Sequence, residues 1–214
     1  MGGPDIRTVQ CQKPSGWVGR LLARRMNSGH SKLTDWGLSQ VAVRENDIVL
    51  DVGCGGGRAV SKLAAMAAQG KVYGLDFSRD SLAIARKENH RLIDIGRVEL
   101  CEGSVSALPF AADTFDVVTA VETHFWWPDL PNGLRQIHKV LKPGGHFVII
   151  AEVYKGAVTK IAKLAGIYAA RTGMHFLDLD EHRRLLEDAG FCDVQIIEWR
   201  EKGWLCCIGN KPRG

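Results

Sequence analysis

No apolar run in this 214-residue chain approaches the ~20 residues that a helix needs to cross a bilayer. Its opening, MGGPDIRTVQ, lacks the apolar core of a secretion signal. Gly2 stands where myristoylation would act, but Ile6 occupies the position that needs Ser or Thr. These absences predict a cytoplasmic protein without a membrane span. None of the six cysteines (Cys11, Cys54, Cys101, Cys192, Cys206 and Cys207) belongs to a C-x-x-C pair. That removes the usual spacings of zinc and thiol-redox sites, so reduced, mostly buried thiols and no metal are expected. Neither sign of charge dominates: 28 Lys and Arg face 24 Asp and Glu, for a net charge of +4. Basic clusters at Arg20/Arg24/Arg25 and Lys211/Arg213 permit an anionic partner without requiring one. Internal repeats and long linkers are also lacking, so one domain spanning 1–214 is expected.

What is present is an alternation of short apolar strands with helical stretches. Strands are read at 47–52 (DIVLDV), 71–76 (KVYGLD), 97–102 (RVELCE), 115–121 (FDVVTAV) and 144–153 (GGHFVIIAEV). Between them lie helical stretches at 58–69, at 78–94 capped by Ser78, and at 130–141, closed by Lys142-Pro143-Gly144-Gly145. Further helices are read at 156–171 and 179–188. The end, CDVQIIEWREKGWLCCIGN, reads as a hairpin turned at Glu201-Lys202-Gly203, with Cys206 and Cys207 on opposite faces. This order predicts an α/β, doubly wound, Rossmann-like sheet, mostly parallel, with an antiparallel C-terminal hairpin. Two amphipathic stretches, 16–27 and 31–42, stand before the alternation as N-terminal lid helices. The expected division is 1–43 for the lid, 44–153 for the ligand-binding core, and 154–214 for a helical insert and the hairpin.

Ligands of such a sheet bind beyond the carboxyl ends of its strands. There the first strand breaks into VLDVGCGGGRAV, residues 49–60. A nucleoside triphosphate would need G-x-x-x-x-G-K-[ST], but five residues after Gly53 stands Arg58, and five after Gly56 stands Ser61. A dinucleotide would favour G-x-G-x-x-G, and the third glycine falls on Arg58 or Val60. Asp51, just before the turn, is also a poor neighbour for a pyrophosphate. An acid followed by spaced glycines suits a zwitterion: the acid's field favours an ammonium and a sulfonium, while backbone N–H groups take a carboxylate. Asp76 ends the second strand at the place where an acid accepts hydrogen bonds from both ribose hydroxyls. Phe77 follows it and can cover one face of an adenine.

Asp51-x-Gly53-x-Gly55-x-Gly57, Asp76, Gly103-Ser104, LPF at 108–110, the FDVV strand and LKPGG at 141–145 together resemble the class I S-adenosylmethionine-dependent methyltransferases. The resemblance runs from about residue 27 to 210 and implies a seven-stranded sheet. It implies S-adenosyl-L-methionine as cofactor and S-adenosyl-L-homocysteine as product. Gly53, Cys54, Gly55 and Gly57 would then form the turn along its methionine part. Gly103, Ser104 and Val105 would stand by the adenine, and Val121 and Glu122 near the homocysteine. The segment RMNSGHSKLTDW (25–36) is similar to the one preceding the core in ubiquinone and menaquinone biosynthesis methyltransferases, which implies a lid role for Asn27, His30 and Trp36.

The acceptor is expected at ETHFWWPDL, 122–130, which follows the fourth strand and faces the methyl group. Trp126 and Trp127 could wall an apolar or aromatic acceptor there, or pack against the lid. His124 is a candidate general base or anchor, weighed evenly against a structural histidine. His175, in TGMHF, is a third candidate pocket member, with a surface-loop residue as the favoured reading. The loop is not the Asn/Asp-Pro-Pro-aromatic one of amino-base DNA methylation, and no cysteine follows a proline as cytosine C5 methylation needs. Glu122 stands alone where arginine methylation needs two glutamates. A neutral small-molecule acceptor, apolar or aromatic, is the leading expectation, for a monomer or homodimer. Nucleic acid is the less favoured acceptor, and an RNA methyltransferase or a non-catalytic cofactor-binding module are the alternatives.

Overall fold

The computed structural model describes residues 31–214. Asn27, His30 and the expected helix at 16–27 lie outside the described residues. The described chain begins with α1 (Ser31–Leu38) and continues β1 (Ile48–Val52), α2 (Arg58–Met66), β2 (Lys71–Asp76), α3 (Arg79–Glu88), α4 (His90–Asp94) and β3 (Val98–Glu102). It then runs β4 (Phe115–Val121), a 3-10 turn (His124–Trp126), α5 (Leu130–Val140) and β5 (Leu141–Ala151). Last come α6 (Lys160–Thr172), α7 (Leu179–Asp188), β6 (Cys192–Trp199) and β7 (Trp204–Asn210). The seven strands lie in the order β3-β2-β1-β4-β5-β7-β6. The first five are parallel, and β7 runs antiparallel to both β5 and β6. The order reverses between β1 and β4, which opens a crevice at their carboxyl ends.

Alternation along each strand fills two cores, one on each face of the sheet. Leu50, Val118, Phe147, Ile149 and Cys207 pack beneath α5 and α7, while Val49, Val117, Val148, Ile150 and Cys206 pack beneath α1 and α2. Each such side chain contributes roughly 1.5–3 kcal/mol by leaving water. The adjacent cysteines take opposite faces, as the period of two requires.

Three elements differ from the sequence expectation in form. The helix expected at 78–94 is two helices, α3 and α4, parted at Asn89. The buried Asn89 amide donates to Gly57 O at 2.9 Å and to Ala85 O at 3.1 Å. The side chain therefore competes with the helix backbone, and it ties α3 to the glycine turn. LKPGG does not only close α5; it opens β5 with a register shift, Leu141 pairing Phe115 while His146 pairs Val117. Gly144, at φ +77°, takes up the extra residues, and Lys142 Nζ bonds both oxygens of Asp116 at 2.9 and 2.8 Å. Finally, α1 lies on the sheet face against β5 and β7, with Leu33 and Leu38 buried. Trp36 joins Trp199 and Trp204, with ring centroids 6.2 and 5.9 Å away. Because β7 is antiparallel and Leu205 pairs Ala151, this trio sits at the carboxyl edge of the sheet.

Candidate active site

At the end of β1 the chain turns through Gly53, Gly55 and Gly57 at φ +73°, +53° and +80°. The three glycines serve different ends. A Cβ on Gly53 would collide with Thr123 Oγ1, from the loop after β4. A Cβ on Gly57 would press on Asn89 and Ala85 of the α3 end. A Cβ on Gly55 would meet nothing within 4 Å, so this glycine faces open space. Cys54 turns its buried thiol inward, near Gly74 of β2, and can face a ligand only with its backbone.

The amides of the turn are largely spoken for. Gly53 N and Cys54 N donate to Leu75 O at 2.7 and 3.0 Å, and Gly57 N donates to Cys54 O at 2.9 Å. Gly55 N donates to Asp76 Oδ2 at 2.9 Å, and Ser78 N donates to Asp76 Oδ1 at 2.8 Å. Asp76 is thus the clamp between the β1 turn and the end of β2, and each of its oxygens keeps a further lone pair for a ligand. Burial pushes its carboxyl up, and the two amide bonds pull it back. Asp51 is buried between β1 and β4, where Thr119 Oγ1 donates to its Oδ1 at 2.6 Å. Burial lifts its carboxyl to about 7, against the Thr119 bond and with help from the nearby Asp76 charge. A cation beside this pair would favour the charged form of both carboxyls.

Gly103 N donates to Asp76 O at 3.1 Å, which brings the loop after β3 to the same edge. Ser104 is exposed there, its Oγ accepting from Ser106 N at 3.2 Å, while Val105 is buried against Gly133 of α5. Phe77 stands 47% exposed beside Asp76. It lines a cavity of about 410 Å³ whose other walls include Phe125, Trp126, Trp127 and His175.

The loop after β4 carries the expected acceptor residues in unequal positions. Trp126 is half-buried on the cavity wall, edge-on to Tyr168 of α6 at 6.0 Å. Trp127 is mostly core: it stacks on Phe147 at 6.4 Å and is buried. His124 is fully buried, with its Nε2 3.1 Å from Nε2 of His182. His182 Nδ1 donates to Asp178 O at 2.7 Å, so its Nε2 is the acceptor and His124 Nε2 the donor. That leaves His124 Nδ1 as a dry lone pair without a hydrogen bond. His175 is not a surface-loop residue: its N donates to Phe125 O at 3.0 Å and its Nε2 to Trp127 O at 2.9 Å. Val121 ends β4, and Glu122 follows in the left-handed region at φ +56°. Its carboxyl accepts from the Glu152 amide, and burial raises it to about 8. Glu122 therefore does not stand alone, because the end of β5 brings Glu152 beside it. Thr123 and Glu152 lacked a local signal: the site residues they meet, Gly53 and Glu122, lie 70 and 30 residues away in sequence.

Two neutral buried histidines give a stability effect of known sign. Burial lowers both His124 and His182, the His124 shift being the deeper. The unfolded chain takes up their protons as pH falls through about 6.5 and the folded one does not, so stability is lost below that pH. Asp51 and Glu122, both raised, act in the opposite sense. The histidine effect is thus read as the difference in urea stability between wild type and the His124→Gln/His182→Gln variant. At pH 5.5 it should amount to roughly 1 kcal/mol per histidine relative to pH 7.5. An equal pH dependence of the two proteins would show the pair to be protonated in the fold.

Sheet order, glycine turn, paired strand-end acids and aromatic cavity define a cofactor-dependent transferase site at the switch point. Residues 49–145 match the family model of a methyltransferase domain. The chain is 32% identical over 180 residues to the demethylmenaquinone methyltransferase of Lactiplantibacillus plantarum, a match covering 74% of this chain and 76% of that one. It is 30% identical over 199 residues to an uncharacterized methyltransferase of Synechocystis, covering 89% and 88%. The methyltransferase solved in complex with the Trm112 activator of Haloferax volcanii superposes with a TM-score of 0.79 at 22% identity, over 99% of this chain and 100% of that one. The chain belongs to the class I S-adenosylmethionine-dependent methyltransferases, and S-adenosyl-L-methionine is its methyl donor. The site fits that cofactor: open space at Gly55, spare acceptors on Asp76 and an exposed Phe77 lie in sequence along one edge. Among the described residues no helix is long and apolar enough to cross a membrane.

Proposed function

We propose that the protein methylates a small aromatic acceptor of the phenol or quinol type, held in the cavity between Phe77 and His175. The cavity carries this conclusion. Its volume, about 410 Å³, suits a small molecule, its walls are mostly aromatic, and it begins at the residue next to Asp76. The name of the Lactiplantibacillus relative points to the same chemistry.

The cofactor supplies an already activated methyl group, so the chain's work is alignment, exclusion of water and proton removal. Asp76 orients the cofactor edge, with Gly55 leaving room for it. Trp126 forms the apolar wall for the acceptor ring. His175 is the base: its Nε2 proton is committed to Trp127 O, which leaves Nδ1 as a lone pair for the acceptor's hydroxyl proton. His124 works one step back, holding the loop through His182 rather than touching the acceptor.

The test is S-adenosylhomocysteine release across phenols, quinols, thiols and amines. Turnover is expected with phenols or quinols. His175→Gln should lower kcat about 10²-fold or more, with cofactor affinity unchanged. His124→Gln should lower kcat by less than His175→Gln does. Turnover confined to thiols or amines, or a His175→Gln enzyme with wild-type kcat, would overturn the assignment.

A further inference from the structure

The helix α6 is packed the wrong way round for a helix that only serves its own fold. Its small residues face the protein: Ala162 is buried, and Gly166 lies against Phe176, where a Cβ would stand 3.1 Å from the ring. Its large apolar residues face out. Ile161, Leu164 and Ile167 are 54%, 66% and 58% exposed, and Val158, just before the helix, is 67% exposed. Spacing by three puts them on one side of the helix. The same side carries Lys160, Lys163 and Arg171, all exposed, and none forms an ion pair among the described residues. The sequence of α6, KIAKLAGIYAART, contains no acid. Its far end reaches the cavity, where Tyr168 meets Trp126 and Gly173 forms part of the wall.

We propose that this face is a docking surface for an anionic lipid membrane. Charge selects among the possible occupants. A second copy of the chain, placed face to face, would set lysines and arginine against the same cations. The N-terminal segment is no better matched: between Asp5 and Asp35 it holds Arg7, Lys13, Arg20, Arg24, Arg25 and Lys32 and no acid. An anionic bilayer satisfies both halves of the pattern. Ile161, Leu164 and Ile167 enter the acyl boundary, and the flanking cations rest among the headgroup phosphates. A membrane at this face would stand next to the cavity, so a lipid-soluble acceptor could pass directly into it. That consequence rests on the acceptor reading above, whereas the docking itself does not.

The experiment is flotation of the full chain with vesicles of phosphatidylcholine alone and of phosphatidylcholine with about one-third phosphatidylglycerol, without acceptor. The chain should float with the anionic vesicles only, and less so in high salt. Lys160→Ala and Lys163→Ala should each weaken partitioning about fivefold. The triple variant Ile161→Ser/Leu164→Ser/Ile167→Ser should stay in the soluble fraction while binding cofactor with wild-type affinity, which shows that it is folded. Absence of flotation, or flotation of the triple variant equal to wild type, would overturn the proposal. So would a wild-type dimer in velocity sedimentation that the triple variant dissolves, since the face would then belong to a second copy. Failure of the methylation panel would leave each of these outcomes unaffected.

Discussion

Alanine at Gly53 is expected to destabilise the protein by about 2–5 kcal/mol, whereas alanine at Gly55 should cost about 1–2 kcal/mol and act mainly on cofactor affinity. Both glycines adopt positive φ, so both substitutions pay the left-handed penalty. Only at Gly53 does the new methyl group also run into a neighbour, the Thr123 hydroxyl of the loop after β4. Relief there would need the turn or the loop to move, and Trp127 Nε1, which donates to that hydroxyl at 3.4 Å, would move with it. At Gly55 the methyl group projects into open space, the space that the proposed site gives to the cofactor. Urea denaturation and calorimetric titration of the two variants separate these effects. A Gly55→Ala protein that binds S-adenosylmethionine as tightly as wild type would show that the cofactor does not lie against this residue.

Asp76→Ala should lose cofactor affinity by about 10²- to 10⁴-fold, because two ribose hydroxyls lose a charged acceptor worth ~1.5–3 kcal/mol each. The structure adds a second consequence. The amides of Gly55 and Ser78, 2.9 and 2.8 Å from the carboxylate, would lose their partner, and Ser78 is buried. An orphaned buried amide costs about 1–3 kcal/mol, so this variant should also unfold more readily. Asp76→Asn distinguishes the two effects. It keeps one oxygen for one amide but offers an NH₂ group to the other, and it removes the charge. Its stability should therefore fall between wild type and Asp76→Ala, with affinity still strongly reduced. Calorimetric affinity of Asp76→Ala within twofold of wild type would sink the assignment of Asp76 to the ribose.

The elements that the sequence made legible are those whose signal is local. Asp51 and Asp76 stand at the ends of the short strands β1 and β2, and after β1 the glycines follow at once, because a chain leaving a buried strand must turn within a few residues. Cys206 and Cys207 parted to opposite faces because a strand repeats every two residues. Ser78 was legible as a helix cap, and its Oγ does accept from Ser81 N at 3.3 Å. The helix broken at Asn89 was not legible, since the side chain that breaks it bonds to Gly57, thirty-two residues away.

In the candidate site the division is sharper. Sequence alone determined the sheet, its switch point and the acid–glycine–acid edge along which the cofactor class could be named, because hydrophobic period, turn chemistry and spacing act within a few residues of one another. Tertiary structure alone decided which aromatic and titratable side chains reach open space. It sank Trp127 against Phe147 and His124 against His182, brought Glu152 to Glu122, and drew His175 from an apparent surface loop onto the cavity wall. Those outcomes depend on how the loop after β4 meets β5 and the insert that follows it, segments that the chain separates but the parallel order of β4 and β5 sets side by side.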